Sequence, residues 1–596
     1  MPDLSKLLLS NRGFKLAVVL AFFFLLGTRG LNEPDEGRYA EIGREMVETG
    51  DWLVPKIWYV PHLDKPPMTY WAVGASIAAF GLNEWAIRLP IALSGLSGAW
   101  AIYLLGLSIG GRRVARWAVL ILSSSLLYFA IARMVMTDMI LLQFICWAIY
   151  FGWRAWRALD PPEPAELIQE GESEDPDFTS AQLAGGRGAR LSFAWQLAAW
   201  VMLAGGFLTK GPLVFLIPAF AFIPLFIYAR RVGKFAPLFL GVVPGLTLFA
   251  LLALPWYLML FEQVAHAFDY MVKGQVVGHA LKAAAKNRGG PIVYYLPILL
   301  FGFLPWTPLL GWLWRRSHWN TLDQRQKEAF VMLTGWAVLT FLFFSINSAK
   351  LPHYIVPMMP ALALLVAFRW PDWRDAETLP RAARQAVIVS PFVAMLAIPF
   401  AYRFAFKIAD QRWIWVQAGI ALIVGTVVCL RSRETPAPRL AANAIAASLL
   451  NLFLLVGLMP LVESSFRSNQ SLRELGQAVR DNWTDNTQLV VCTRIPQGLP
   501  LYTWPLINQT NRPWFYNLPR HRMPYAYPGN ENRLAPHTLE TITDITALAS
   551  TNRVLAVGWV GAFSGLANTL TNSPPKMITV SGHWELFTIP GQSGAN

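Results

Sequence analysis

The stretch Leu31–Gly81, LNEPDEGRYAEIGREMVETGDWLVPKIWYVPHLDKPPMTYWAVGASIAAFG, decides how this chain is read. It follows the first apolar run and is dense in charge and proline, inside a protein that is otherwise mostly apolar. Asp35, Glu36, Arg38, Asp64 and Lys65 all fall within it, close to where lipid headgroups belong. Charge at a membrane edge is tolerated on the water side and costly on the lipid side, so a cluster of this kind marks a functional site.

The surrounding chain sets that edge. Of 596 residues, 55% are hydrophobic and 14% charged, and the mean hydropathy is +0.39. A soluble protein would carry about 25% charged residues. Apolar runs of about 20 residues, each closed by turn or charge signals, make a polytopic helical membrane protein. The net charge of +14 follows mainly from basic cytoplasmic loops, with room for anionic, phosphorylated substrates. The basic residues form no single stripe, which excludes nucleic acid as a partner. Three cysteines are too few for a disulfide framework.

Spans are expected near 14–31, 85–110, 115–132, 137–153, 193–208, 212–228, 236–256, 292–313, 329–346, 354–369, 385–402, 413–430 and 440–461, about thirteen helices in all. The first has no small-residue cleavage site after it and reads as an uncleaved span. Alternate loops hold Arg112, Arg113 and Arg116, then Arg154 and Arg157, Arg230 and Arg231, Arg315 and Arg316, Arg369 and Arg374, and Arg431 and Arg433. If these are cytoplasmic, the N-terminus is inside and the C-terminus outside. Asp35, Arg38, Lys65, Asp138, Lys210 and Lys350 then all face the extracytoplasmic side, where one cavity could collect them.

Residues 160–190 form an acidic loop rich in proline and glycine, expected to be mostly disordered and cytoplasmic. It contains Asp175-Pro176-Asp177, a DxD that lacks the folded surroundings a nucleotide-sugar site needs. The chain divides into a membrane domain, 1–462, in which 32–84 is an extracytoplasmic loop with interfacial helices, and a tail, 463–596. In the tail an amphipathic helix over 470–483 and strands over 488–492, 514–516, 554–559, 577–580 and 584–589 predict a compact α/β domain.

The candidate chemistry lies in the polar groups of the outer side. EGRYAEIGREMVETG reads as an amphipathic interfacial helix, led by Asp35, which suits a general base or an N-cap. Arg38 stands three residues on, near the same face. In Asp64-Lys65-Pro66-Pro67 the prolines stiffen the chain and set a lysine beside the bilayer, where it suits a phosphate. Asp138 opens a span and reads either as a second functional acid or as a helix N-terminal acid. Lys210 in LTKGP and Lys350 in SAKLPHY extend the cation set, and Tyr354 adds a hydroxyl or a belt aromatic. Glu36, Tyr39, Asp64 and His279 are further possible substrate contacts. His279 with Asp64 could hold a divalent metal, but no spacing requires one and no cofactor is needed.

DEGRYAEIGREMVETGDWLVP, then LDKPP, NEWAIRLP, MTDM, LTKGP and KLPHY, resemble the membrane glycosyltransferases of the GT-C class. The likeness is greatest to the lipid A aminoarabinose transferases, with the protein O-mannosyltransferases more distant. It covers roughly residues 10–370. The resemblance implies a thirteen-helix fold with a periplasmic α/β tail in the bacterial inner membrane. It also implies an undecaprenyl- or dolichyl-phosphate sugar donor, an acceptor such as lipid A, a glycan or a protein, and inversion at the anomeric carbon. By matching motif, Asp35 and Asp138 are the catalytic acids, and Arg38, Lys65 and Tyr354 contact the phosphate. Asp64 departs from a glutamate at that place. A transporter of lipid-linked sugar is the alternative, though no inverted repeat is visible.

Overall fold

The computed structural model describes residues 11–160, 180–229, 235–272, 290–313, 319–369, 419, 471–518 and 537–590, apart from 321 and 572. The spans expected at 385–402, 413–430 and 440–461, the DxD and His279 lie outside the described residues.

The first helix, α1 (Asn11–Phe23), ends well before the expected residue 31. Leu25 turns through φ 53°, and Gly27 then passes so close to Trp85 that a Cβ would lie 2.8 Å from its Cβ. The charged stretch folds into α2 (Asp35–Thr49), a short hairpin of β1 (Lys56–Ile57) and β2 (Val60–Pro61), and α3 (Met68–Phe80). Helix α2 closes on Gly50, whose φ of 69° is the left-handed C-terminal stop that glycine adopts without strain. Helix α3 starts behind Pro66-Pro67, where the missing N–H groups and fixed φ suit a first turn.

Helix α4 (Glu84–Ser124) bends at Gly110-Gly111, where Gly111 has φ 77°, and thereby joins two of the expected spans. The short α5 (Leu126–Ile131) follows, then α6 (Thr137–Arg157), α7 (Ser180–Lys210), α8 (Leu213–Ala229), α9 (Phe235–Leu240) and α10 (Val242–Gln263). Helix α7 begins inside the loop expected over 160–190, because no proline interrupts residues 180–210. The span expected at 292–313 is broken. It consists of 3-10 turns at Ile292–Tyr294 and Thr307–Trp312 around α11 (Tyr295–Gly302), since Pro305 and Pro308 cannot continue a helix. Helix α12 (Gln324–Ile346) carries a capping box between Asp323 and Gln326. A 3-10 turn, Pro352–Met358, leads into α13 (Met359–Arg369).

Among the described residues six helices are long and apolar enough to cross a membrane. The chain is an integral membrane protein. Its helices pack through fully buried tryptophans whose indole N–H groups find partners: Trp156 donates to Glu328 at 2.9 Å, Trp306 to Ser124 at 3.1 Å, and Trp336 to the Pro357 carbonyl at 2.8 Å.

The tail forms α14 (Arg473–Asp481), β3 (Thr487–Cys492), α15 (Leu499–Thr503), β4 (Trp514–Tyr516), β5 (Thr538–Leu539), α16 (Ile542–Thr551), β6 (Arg553–Trp559), α17 (Ala562–Thr569), β7 (Lys576–Ser581) and β8 (Trp584–Ile589). The strand order is β5-β4-β3-β6-β8-β7. The four strands β5, β4, β3 and β6 are parallel, and β8 and β7 extend the sheet antiparallel. All five expected strands are present in this α/β unit. Cys492 is buried in it and Cys146 in the helical bundle, both as free packing thiols.

The charged stretch is fixed by Glu36, which was expected as a possible substrate contact. It is fully buried. Its carboxylate pairs with Arg29 at 2.6 Å and Arg88 at 3.0 Å and accepts from the backbone N–H groups of Asn32 (3.0 Å) and Val135 (3.1 Å). With its lone pairs taken and no exposure, it braces the fold and cannot meet a substrate. Removing one partner from a buried ion pair leaves uncompensated charge. Glu36→Ala is therefore expected to cost about 3–5 kcal/mol of stability, read as a lower melting temperature of the detergent-purified protein. An unchanged melting curve would contradict this.

Candidate active site

Asp35 is the first residue of α2, and Pro34, not Asp35, occupies the capping position. The expected N-cap bond is absent. The carboxylate instead stands 54% exposed and accepts from Arg38 Nη2 at 3.1 Å. Arg38 is much less exposed, and its Nε donates to the Gln497 side chain of the tail at 2.8 Å. Nη1 makes no hydrogen bond among the described residues.

The turn before α3 supplies the second pair. Among the described residues Lys65 Nζ donates only to the Asp64 carbonyl, at 3.0 Å, leaving two ammonium protons for a ligand. Burial pushes this ammonium down to about 8. Lys210 and Arg38 push the same way, and Asp64 and Asp138 oppose them. Asp64 accepts from the Tyr270 hydroxyl and lies 3.7 Å from His62 Nε2. Burial would raise its carboxyl, but His62, Tyr270, Lys65 and Arg38 outweigh this and hold it at about 2.

From the bundle, Asp138 sits in the first turn of α6 and pairs with Lys210, the last residue of α7, at 2.8 Å. His353 Nε2 lies 3.7 Å from the other carboxylate oxygen. The Lys210 ammonium also lies 4.8 Å from the centre of the Tyr354 ring, a cation–π contact that uses the ring rather than the hydroxyl. Tyr39 lies within electrostatic reach of Asp35, Arg38 and Asp138, so it spans the two acids. Its ring stacks on Tyr70 at 5.6 Å.

Asp35, Arg38, Tyr39, Asp64, Lys65, Asp138, Lys210 and Tyr354 thus converge from three helices, the 3-10 turn before α13 and the turn before α3. Lys350, expected among the phosphate ligands, does not join them. It is buried, and its ammonium donates to the carbonyls of Phe344 (3.1 Å), Ser345 (2.6 Å) and Asn347 (2.7 Å). A helix end leaves carbonyls without intrahelical partners, and Lys350 closes the end of α12. Among the described residues no three His, Cys, Asp or Glu side chains gather as a metal group.

Sequence reasoning missed four neighbours. His353 follows Lys350 within a stretch already singled out. Tyr270 and Gln497 carry no local signal. Tyr70 is fully buried, and its hydroxyl finds no partner among the described residues, although Arg38, Asp64 and Tyr270 lie close by. Among the described residues this buried hydroxyl beside a cluster of charge keeps its hydrogen-bonding capacity for a ligand.

Three comparisons bear on this arrangement. A family model described as dolichyl-phosphate-mannose-protein mannosyltransferase matches residues 64–161. The undecaprenyl phosphate-alpha-4-amino-4-deoxy-L-arabinose arabinosyl transferase 2 of Proteus mirabilis (strain HI4320) is 32% identical over 375 residues, 60% of either chain. The corresponding Yersinia pestis (strain Pestoides F) transferase is 31% identical over 362 residues, 59% of this chain and 58% of its own. The chain thus spans about 60% of the length of the curated relatives it matches. The crystal structure of ArnT from Cupriavidus metallidurans bound to undecaprenyl phosphate superposes with a TM-score of 0.74 at 21% identity, over 97% of this chain and 98% of that one. The chain has the GT-C fold. In this GT-C fold the site lies at one end of the bundle, where α6 and α13 begin, α7 and α12 end, and the tail docks.

The Lys65 shift sets a direction with pH. Its ammonium is present below about 8 and lost above it, so anion binding through Lys65 weakens as pH rises past that value. Binding of a phosphate anion is expected to fall across that window in the native protein. Lys65→Arg stays charged and should move the fall to higher pH; an identical profile for both proteins would count against Lys65 as an anion ligand.

Proposed function

We propose that this chain is an inverting glycosyltransferase that moves a sugar from a polyprenyl-phosphate donor to an extracytoplasmic acceptor such as lipid A, another glycan or a protein. The observation that carries this reading is the set of unused cationic donors, Arg38 Nη1 and two protons of Lys65, held beside the exposed Asp35 carboxylate at one end of a membrane bundle. A lipid-linked phosphosugar puts its headgroup at that depth and its tail in the bilayer. The arginines at the opposite ends of the helices, Arg112, Arg113 and Arg116 with Arg154 and Arg157, support an extracytoplasmic placement of the site.

In this scheme the acceptor oxygen attacks the anomeric carbon opposite the phosphate. The sugar–phosphate C–O bond breaks with its electron pair on the departing phosphate, which remains on the prenyl chain. Arg38 and Lys65 stabilise the charge that develops there. Lys210, paired with Asp138, adds positive potential without leaving an isolated buried charge. Asp35 takes the proton of an acceptor hydroxyl as general base. Where the acceptor is itself an ionised phosphate, Asp35 orients Arg38 and moves no proton. No cofactor enters any step. A transporter would place its polar groups near mid-membrane, and the cluster at one end favours transfer over passage.

The direct test incubates the purified protein with radiolabelled polyprenyl-phosphate sugars and membrane extract, and identifies the labelled product. Asp35→Asn should lower transfer by about 10²-fold or more while leaving expression intact, because the side chain is exposed; normal turnover would remove Asp35 from the chemistry. Tyr70→Phe separates binding from stability. Deleting a buried hydroxyl that has no partner among the described residues should leave the melting temperature equal or higher, yet weaken donor use several-fold. A loss of stability without a loss of donor use would assign Tyr70 to packing.

A further inference from the structure

The tail meets the membrane domain through the loop between β3 and α15, which lands on the first turn of α2. Glu33 receives that loop. Its carboxylate accepts from the backbone N–H of Gln497 at 3.0 Å and of Gly498 at 2.8 Å. The two segments touch through glycines: a Cβ on Gly37 would lie 3.0 Å from the Gly498 Cα and 2.0 Å from Glu33 Oε1. The backbone of Gln497 is therefore fixed against α2 without help from its own side chain. Leu31 N–H donates to the Tyr502 hydroxyl at 2.9 Å, and Arg473 pairs with Glu84 at 2.7 Å, so the docking is supported on both sides.

From that fixed backbone the side chain of Gln497 reaches Arg38. The contact has one chemical sense, because Arg38 Nε can only donate and the glutamine oxygen must accept, at 2.8 Å. Nη2 of the same guanidinium is held by Asp35 at 3.1 Å. Two of three nitrogens of a rigid planar group are thus held by partners from different domains, which sets the plane and the direction in which Nη1 points. We propose that Gln497 is a positioning residue of the donor site: the tail aims the Arg38 guanidinium at the departing phosphate through this one side chain. The proposal rests on Arg38 acting as a phosphate ligand. It makes the tail a component of the donor site, complete only when the two domains are docked.

The test measures binding of undecaprenyl phosphate to the full-length protein in nanodiscs, alongside the melting temperature of each variant. Gln497→Ala and Gln497→Met should each weaken binding about tenfold or more, the effect of losing one hydrogen bond to a charged group. Methionine keeps the volume of glutamine and discards its acceptor oxygen. In an Arg38→Ala background the same substitutions should have no further effect, within about twofold. Native-like binding by Gln497→Met would overturn the proposal and leave packing as the role of this side chain. So would a Gln497 substitution that weakens the Arg38→Ala protein by the full factor. If Arg38→Ala itself binds as tightly as the native protein, the reading of Arg38 as a phosphate ligand has failed, and the positioning role falls with it. If Arg38→Ala is weak and Gln497→Met is not, only the positioning role has failed.

Discussion

The buried carboxylate of Glu36 is the constraint on which the rest of the structure depends. It ties four separate pieces of backbone to one point: the segment after α1 through Arg29, α4 through Arg88, the entry to α2 through Asn32, and the approach to α6 through Val135. Asp35 and Arg38 lie on the same helical turn as Glu36, and Asp138 lies three residues beyond Val135. One hydrogen-bonded carboxylate therefore fixes the distance between the two acids of the site. A buried charge of this kind persists only when fully paired, and here two arginines and two amides satisfy it.

The site itself is nearly balanced in charge. Asp35, Asp64 and Asp138 face Arg38, Lys65 and Lys210, so the fold bears no large self-repulsion before a ligand arrives. Capacity for an anion comes from which protons are left over. Lys210 faces its carboxylate, while Lys65 gives one proton to a carbonyl and keeps two. The depression of Lys65 to about 8 by burial and neighbouring cations expresses the same fact: the pocket gains by admitting negative charge.

Much of this was legible in the sequence, because apolar runs and alternating strands leave periodic signals. Counting basic loops put Asp35, Lys65, Asp138 and Lys210 on one side of the membrane, and the structure brings them together. The failures have identifiable causes. Charge at a membrane edge reads the same whether it meets a ligand or a buried arginine, so Glu36 reads as a possible substrate contact. A lysine before a proline turn reads as a free cation, yet the open carbonyls of α12 claimed Lys350. Pro305 and Pro308 broke a run whose hydropathy alone suggested a span. Gln497 stands 459 residues from Arg38, and no local pattern in its loop announces such a contact.

Exposure changes steeply across the site. Asp35 is 54% exposed, Arg38 19% and Asp138 7%. The acid proposed to meet the acceptor stands at the lip, open to water, while the groups proposed to meet the donor lie within. A nucleophile can therefore be delivered from a body of any size, provided one oxygen reaches the rim. Under the proposed reaction, selection among acceptors comes from surfaces farther out, and the same scaffold can change clientele without altering the groups proposed to release the sugar.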